Sequence, residues 1–142
     1  MIEATHRHIA PTMIRLERDI DLVFRGGKRL RHSGRLPVRY ALRDLDEGEC
    51  AVMFIFIVPK RTVRRANQRN TIKRWFREAI IRSAAHSELI LMAAERGKQI
   101  LVSIKVDAPP SATMHWDIVV GEVDAILSAL ALVVSKNQGT GS

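Results

Sequence analysis

Residues 58–82 read VPKRTVRRANQRNTIKRWFREAIIR, Val58 to Arg82. Within this stretch Ile72, Trp75, Phe76, Ala79, Ile80 and Ser83 just beyond it recur at i, i+3, i+4, i+7, i+8 and i+11, the spacing of one apolar helix face. Arg69, Lys73 and Arg77 recur at i, i+4 and i+8 on another face, and Arg74 extends that stripe outward. The spacing therefore predicts an amphipathic helix that docks through Phe76 and Ala79 and presents cations to solvent. Either Asn67 or Asn70 is placed to cap its start. Upstream lie Lys60, Arg61, Arg64 and Arg65, and no acidic residue occurs between Cys50 and Arg77. A surface helix ordinarily alternates Glu with Lys to gain i, i+4 pairs. This one forgoes them, which a polyanionic partner explains. A basic face with no partner and a membrane-surface helix are the competing readings. The second is disfavoured because a sheet needs the apolar face that carries Trp75 and Phe76.

The flanking sequence supplies that sheet. Ala51 to Val58 (AVMFIFIV) is a continuous apolar run, short for a helix and suited to a fully buried strand. Gln99 to Val106 reads as another central strand. Leu36 to Arg43 reads as a strand whose Val38 and Tyr40 share one face, with Arg39 on the other. Pro37 sets its start or an edge position. Met13, Leu16, Ile20, Val23 and Phe24 predict a first helix ended by Gly26-Gly27. The basic helix is expected to run on to Ala94, with a break near His86-Ser87, and Trp116 to Val134 predicts a closing helix. The order is helix, strand, strand, helix, strand, helix, with room for one more short strand near Lys60–Val63. That is an α+β fold, an α/β sandwich with helices packed on one central sheet. One domain is expected over 1–142, with residues 1–12 and 135–142 as loose tails.

Net charge is +8, and residues 1–82 hold 19 Lys/Arg against 9 Asp/Glu while residues 83–142 hold 4 against 6. The positive field is thus regional and steers polyanions to one part of the fold. A hydrophobic content of 46% argues against a disordered chain. The single cysteine, Cys50, excludes an internal disulfide and reads as a small core residue beside a strand. No signal core or spanning segment is read, so a cytoplasmic protein without a membrane partner is expected. His6, His8, His32, His86 and His115 lack metal-ligand spacing with acidic or cysteine partners. No Gly-rich phosphate loop occurs.

The segment from Val58 to Ala79 resembles the signature of the bacterial ribonuclease P protein. The residues that carry the likeness are Lys60-Arg61, Arg69-Asn70-Thr71, Ile72-Lys73-Arg74 and Arg77-Glu78, with a matching connector length. It extends loosely over about residues 15–130, through Arg15-Leu16, Val23-Phe24, Gly26, the strand with Tyr40, Ile100–Val106 and the last helix. Thr71 stands where that family usually has arginine, and Ile20 where an aromatic is common. The segment between Leu16 and Ile20 is about two residues short.

The resemblance implies the protein subunit of ribonuclease P, an endoribonuclease that trims the 5′ leader of precursor tRNA. It implies that the RNA subunit carries the catalytic centre and binds Mg²⁺, with no cofactor intrinsic to the protein. It assigns Arg65, Arg69, Asn70, Lys73, Arg74 and Arg77 to the RNA subunit. Phe24, Tyr40, Lys60 and Arg61 are assigned to a leader-binding cleft between the first helix and the sheet. It further implies one protein per RNA and a left-handed βαβ crossover, against the general right-handed expectation. Two other readings share the basic helix: a ribosomal or other structural RNA-binding protein without an enzyme role, and a major-groove DNA binder. The broad apolar face of the helix disfavours the second.

Overall fold

The computed structural model describes residues 10–107 and 116–136. Its elements are β1 (Thr12–Met13), α1 (Glu17–Gly26), β2 (Lys28–Arg29), β3 (Val38–Asp44), β4 (Val52–Ile57), α2 (Ala66–Arg82), α3 (Ala84–Glu95), β5 (Lys98–Lys105) and α4 (Trp116–Lys136). The five strands form one mixed sheet in the order β1-β4-β5-β3-β2. β4 runs parallel to both β1 and β5, while β3 runs antiparallel to β5 and β2. The parallel neighbours β4 and β5 are connected through α2 and α3, so that pair of strands and the intervening helices make a βαβ unit.

Alternation along the strands divides the residues between two faces. Val38, Val52, Phe54, Phe56, Ile100, Val102 and Ile104 enter the main core, where they meet Ile72, Phe76, Ala79 and Ile80 of α2, Leu89 and Ala93 of α3, and Val123, Ile126, Leu127 and Leu130 of α4. Phe76 is fully buried and its ring lies 5.8 Å from that of Phe56. The other face carries α1, through a smaller cluster of Ile14, Val23, Ala41 and Leu101. The α+β sandwich read from the sequence is therefore present, with α2, α3 and α4 on one side of the sheet and α1 on the other.

Several boundaries differ from the sequence reading, each for a physical reason. Thr12, expected at the end of a loose arm, and Met13, expected to open a helix, instead extend the sheet as β1, pairing with Met53 and Phe54. The amide of Ile14 continues this pairing, donating to the Phe54 carbonyl at 2.7 Å. The helix begins only at Glu17 and turns Asp19 and Val23 toward the sheet, which leaves Leu16 and Phe24 exposed. Asp19 is buried because Arg43 of β3 reaches it at 2.8 Å. Gly27 then ends α1 with φ in the ordinary negative range. It is needed for close approach, since a Cβ there would collide with the Val23 carbonyl oxygen. Arg39 donates to the carbonyls of Val23 and Gly27, placing a cation at the negative end of the helix.

β4 is buried on one side only. Val52, Phe54 and Phe56 are buried, whereas Met53, Ile55 and Ile57 are half-buried, because α1 lies over β3 and β5. Residues 60–63 form a turn in place of a further strand, with the amides of Thr62 and Val63 donating to the Pro59 carbonyl. The basic helix stops at Arg82 and α3 restarts at Ala84, earlier than the break expected at His86-Ser87. Neither Asn67 nor Asn70 caps α2. The helix starts at Ala66, so both lie inside it, and Arg65 occupies the cap position without a side-chain bond. Cys50 is exposed, outside the core.

The 21-residue α4 is long and apolar enough by composition to cross a membrane, longer than the sequence reading allows for. In this fold Val119, Val123, Ile126, Leu127, Leu130 and Val134 pack into the main core, so it serves as a core helix. The expected tails at residues 1–9 and 137–142 lie outside the described residues, as do His6, His8 and His115, whereas Ser135 and Lys136 belong to α4.

Candidate functional site

The cationic surface starts where β4 ends. Val58 is buried, Pro59 breaks the strand, and Lys60 and Arg61 follow on the exposed turn. Arg64 and Arg65 are exposed and lead into α2. The first turn of α2 contains no acidic residue. Its free amides and the positive end of its dipole are therefore not offset by a side-chain carboxylate.

On α2 the two predicted faces separate as expected. Ile72, Phe76, Ala79 and Ile80 are buried, and Trp75 packs at the margin of the core. Arg74 and Asn70 are exposed, and Arg69, Lys73 and Arg77 are partly exposed. Lys73, Arg74 and Arg77 make no ion pair among the described residues. The acidic counterpart appears only at Glu78, which pairs with Arg82 at 3.7 Å. Arg82 in turn lies 5.8 Å from the centre of the Trp116 ring, tying the end of α2 to α4.

Arg69, within the stripe, and Thr71, beside it, both bond back to the backbone. The guanidinium of Arg69 donates to the carbonyls of Val63 and Arg64, each at 2.9 Å. It folds the connector back against the helix as well as adding charge. The Thr71 hydroxyl donates to the Asn67 carbonyl at 2.9 Å, four residues back in its own helix. Its one O–H is thereby engaged.

The residues assigned to a leader cleft come from three places: Phe24 from the C-terminal half of α1, Tyr40 from β3, and Lys60 and Arg61 from the turn after β4. Phe24 is 40% exposed and lies one turn after Ile20, which packs on the same Ile14, Val23, Ala41 and Leu101 cluster as Met53 and Ile55. Along that flank β4 presents Ile55 and Ile57 and leads to Lys60 and Arg61. Tyr40 projects to the opposite face of the sheet, beside the α4 cluster. It lines a cavity of about 430 Å³ with Leu22, Gly26, Lys28, Val133 and Lys136. The half-exposed Ile55 and Ile57 escape the sequence reading because an all-apolar run shows no alternation. Lys105, which pairs in register with Ile57, places another cation at the same end of the sheet.

Among the described residues no group of three or more His, Cys, Asp or Glu is placed to hold a metal ion. The arrangement offers a cation array on a packed helix and an exposed aromatic ring.

Comparison with known proteins shows the family and the fold. A family model described as Ribonuclease P matches residues 11–131. The fold is similar to the RNase P protein from Thermotoga maritima, at 22% identity and a TM-score of 0.52, over 84% of this chain and 96% of that one. It is also similar to the Thermotoga maritima RNase P protein in complex with 1-(4-fluorophenyl)-2-thiourea, at 23% identity and a TM-score of 0.54, over 83% and 96% of the two chains. No curated protein sequence matches the chain.

Proposed function

The chain belongs to the ribonuclease P protein family, subunits of the endoribonuclease that matures tRNA, and from that premise we propose how its surface works. The α2 face, with Arg65, Arg69, Asn70, Lys73, Arg74 and Arg77, binds the RNA subunit. The flanks of α1, with Phe24, Tyr40, Lys60 and Arg61, hold the single-stranded 5′ leader of precursor tRNA. The RNA subunit carries the catalytic centre and the Mg²⁺. The protein neutralises phosphates and orients the leader, acting in the cytoplasm as one protein per RNA.

The observation that carries this reading is the unpaired stripe of Lys73, Arg74 and Arg77 on a helix whose other face is locked into the core. Arginine suits it, because the planar fork grips phosphate oxygens two at a time. Holding the stripe on a packed helix removes the ordering cost that a flexible tail would bear on binding. Single strands favour surfaces that combine cations with exposed aromatic faces, and the exposed Phe24 ring and the exposed Lys60 and Arg61 are side chains of those two kinds.

The test is the salt dependence of binding to a ribonuclease P RNA transcript. Each of Lys73→Ala, Arg74→Ala and Arg77→Ala should weaken binding and flatten the slope of log K against log salt by about one unit for each phosphate no longer neutralised. Unchanged slopes in all three would remove α2 as the RNA-subunit face.

A further inference from the structure

The loop between β2 and β3 carries a second concentration of positive charge that the signature segment does not include. From Leu22 to Arg43 the chain has no acidic residue and seven arginines and lysines: Arg25, Lys28, Arg29, Arg31, Arg35, Arg39 and Arg43. Arg39 and Arg43 are engaged, with the end of α1 and with Asp19. The other five make no side-chain hydrogen bond or ion pair among the described residues, and all five are exposed.

The loop that follows Arg29 and bears Arg31 and Arg35 is nevertheless held by hydrogen bonds at its backbone. The carboxylate of Glu122, on α4, accepts the backbone amide of Arg35 at 3.0 and 2.9 Å and that of Leu36 at 3.2 Å. The His32 ring accepts the Gly34 amide on Nδ1 at 3.0 Å, which leaves Nε2 to donate to the Leu36 carbonyl at 2.7 Å. Leu30 and Leu36 are buried in the main core. The Glu122 carboxylate lies close over Gly34, so a Cβ there would displace it from these amides. The one nearby carboxylate is thus spent on backbone amides and leaves the guanidiniums unpaired. The loop also lies at the cationic end of the sheet. Leu30 bonds to Val38, Pro37 bonds to Lys105, and Lys105 pairs with Ile57, just before Lys60 and Arg61.

We propose that Arg29, Arg31 and Arg35 form a second, preorganised contact for the sugar-phosphate backbone of a structured RNA, continuous with the Lys60–Arg65 turn. Between Phe24 and Tyr40 there is no Phe, Tyr or Trp, and the His32 ring is held at both nitrogens by the loop's own backbone. The loop therefore lacks the exposed aromatic platform of single-strand sites, and cations on a braced backbone match the fixed phosphate spacing of folded RNA better than a mobile single strand. This rests on the RNA-subunit reading above and adds a surface to it.

The experiment measures binding of the full-length protein to a ribonuclease P RNA transcript and to a single-stranded leader oligonucleotide across a salt series. The triple variant Arg29→Ala/Arg31→Ala/Arg35→Ala should lower the slope on the transcript by roughly two to three units while its oligonucleotide affinity stays within about twofold. Lysine at the same three positions should retain the slope. Glu122→Ala provides a test of opposite sign. Simple charge attraction demands tighter binding once a carboxylate is removed, whereas a preorganised loop demands binding weaker by about threefold or more. Glu122→Gln, which keeps the side-chain size, should show the same direction if the alanine variant is poorly folded. An unchanged slope in the folded triple variant, an equal loss on both RNAs, or binding as tight or tighter on loss of Glu122 would overturn the proposal. If the loop variants bind like the unmodified protein while the α2 variants weaken, this inference fails alone. If the unmodified protein does not bind the transcript, the functional reading fails with it.

Discussion

Arg69 lies within the cation stripe of α2, yet its guanidinium bridges two connector carbonyls, while its neighbour Arg74 is exposed and makes no ion pair. The two substitutions should therefore separate. Arg69→Ala should cost about 1–2 kcal/mol of folding stability, because it removes charge-assisted bonds to backbone, and should also weaken RNA binding. Arg74→Ala should weaken binding with no measurable change in thermal midpoint. Thermal unfolding of both variants beside RNA titrations checks this; equal stability would mean that the Arg69 bonds are dispensable. Phe24 and Tyr40 also separate, since they sit on different flanks of α1. The exposed ring of Phe24 is available for stacking, so Phe24→Ala should reduce the preference for leader-bearing over leaderless precursor by about tenfold, within the range of one stacked base. Tyr40, packed against the α4 cluster, should contribute less. A larger effect at Tyr40 would move the leader to the cavity with Val133 and Lys136.

At the scale of elements, α2 depends on Phe76. Its ring is fully buried against Phe56, and Phe76→Ala should lower stability by about 3–5 kcal/mol in urea unfolding. A loss under about 1 kcal/mol would mean that the helix is not anchored there. This helix is legible in its sequence because burial on one face and cations on the other each leave a periodic mark. α4 is legible from its apolar period alone, and β5 from a short apolar run that suits a strand buried on both faces. β1 and β2 are not, since two-residue strands carry no period and are defined by their partners Met53 and Tyr40. The buried Asp19 is not legible either, because it depends on Arg43 arriving from another strand. β4 is legible as a strand, but its one-sided burial is not, since whether Ile55 and Ile57 are covered depends on where α1 lies. The candidate cations are visible as residues. Their division between Arg69, which braces the connector, and the unpaired remainder needs coordinates.

Across the whole molecule the sheet separates charge by its two ends. Lys60, Arg61 and Lys105 follow or end β4 and β5, with Asp107 the one carboxylate just beyond β5, Arg64 and Arg65 lead into α2, and the end of β2 with the loop after it adds Arg29, Arg31 and Arg35. The other end holds Asp44, Asp46, Glu47 and Glu49 around the β3–β4 turn, where Lys98 pairs with Asp44 at 3.0 Å. A polarised molecule of this kind orients itself on a polyanion before contact, and the effect fades as salt shortens the screening length to about 8–10 Å. On the function proposed above, the protein would offset phosphate repulsion between RNA subunit and substrate, an aid that would matter most when Mg²⁺ is scarce. The decisive measurement is reconstitution: cleavage of precursor tRNA by a bacterial ribonuclease P RNA at low Mg²⁺, with and without this protein. The account requires cleavage at the 5′ maturation site to be stimulated at least tenfold by the protein. Cleavage no faster than that by the RNA alone, from protein shown to be folded, would contradict it.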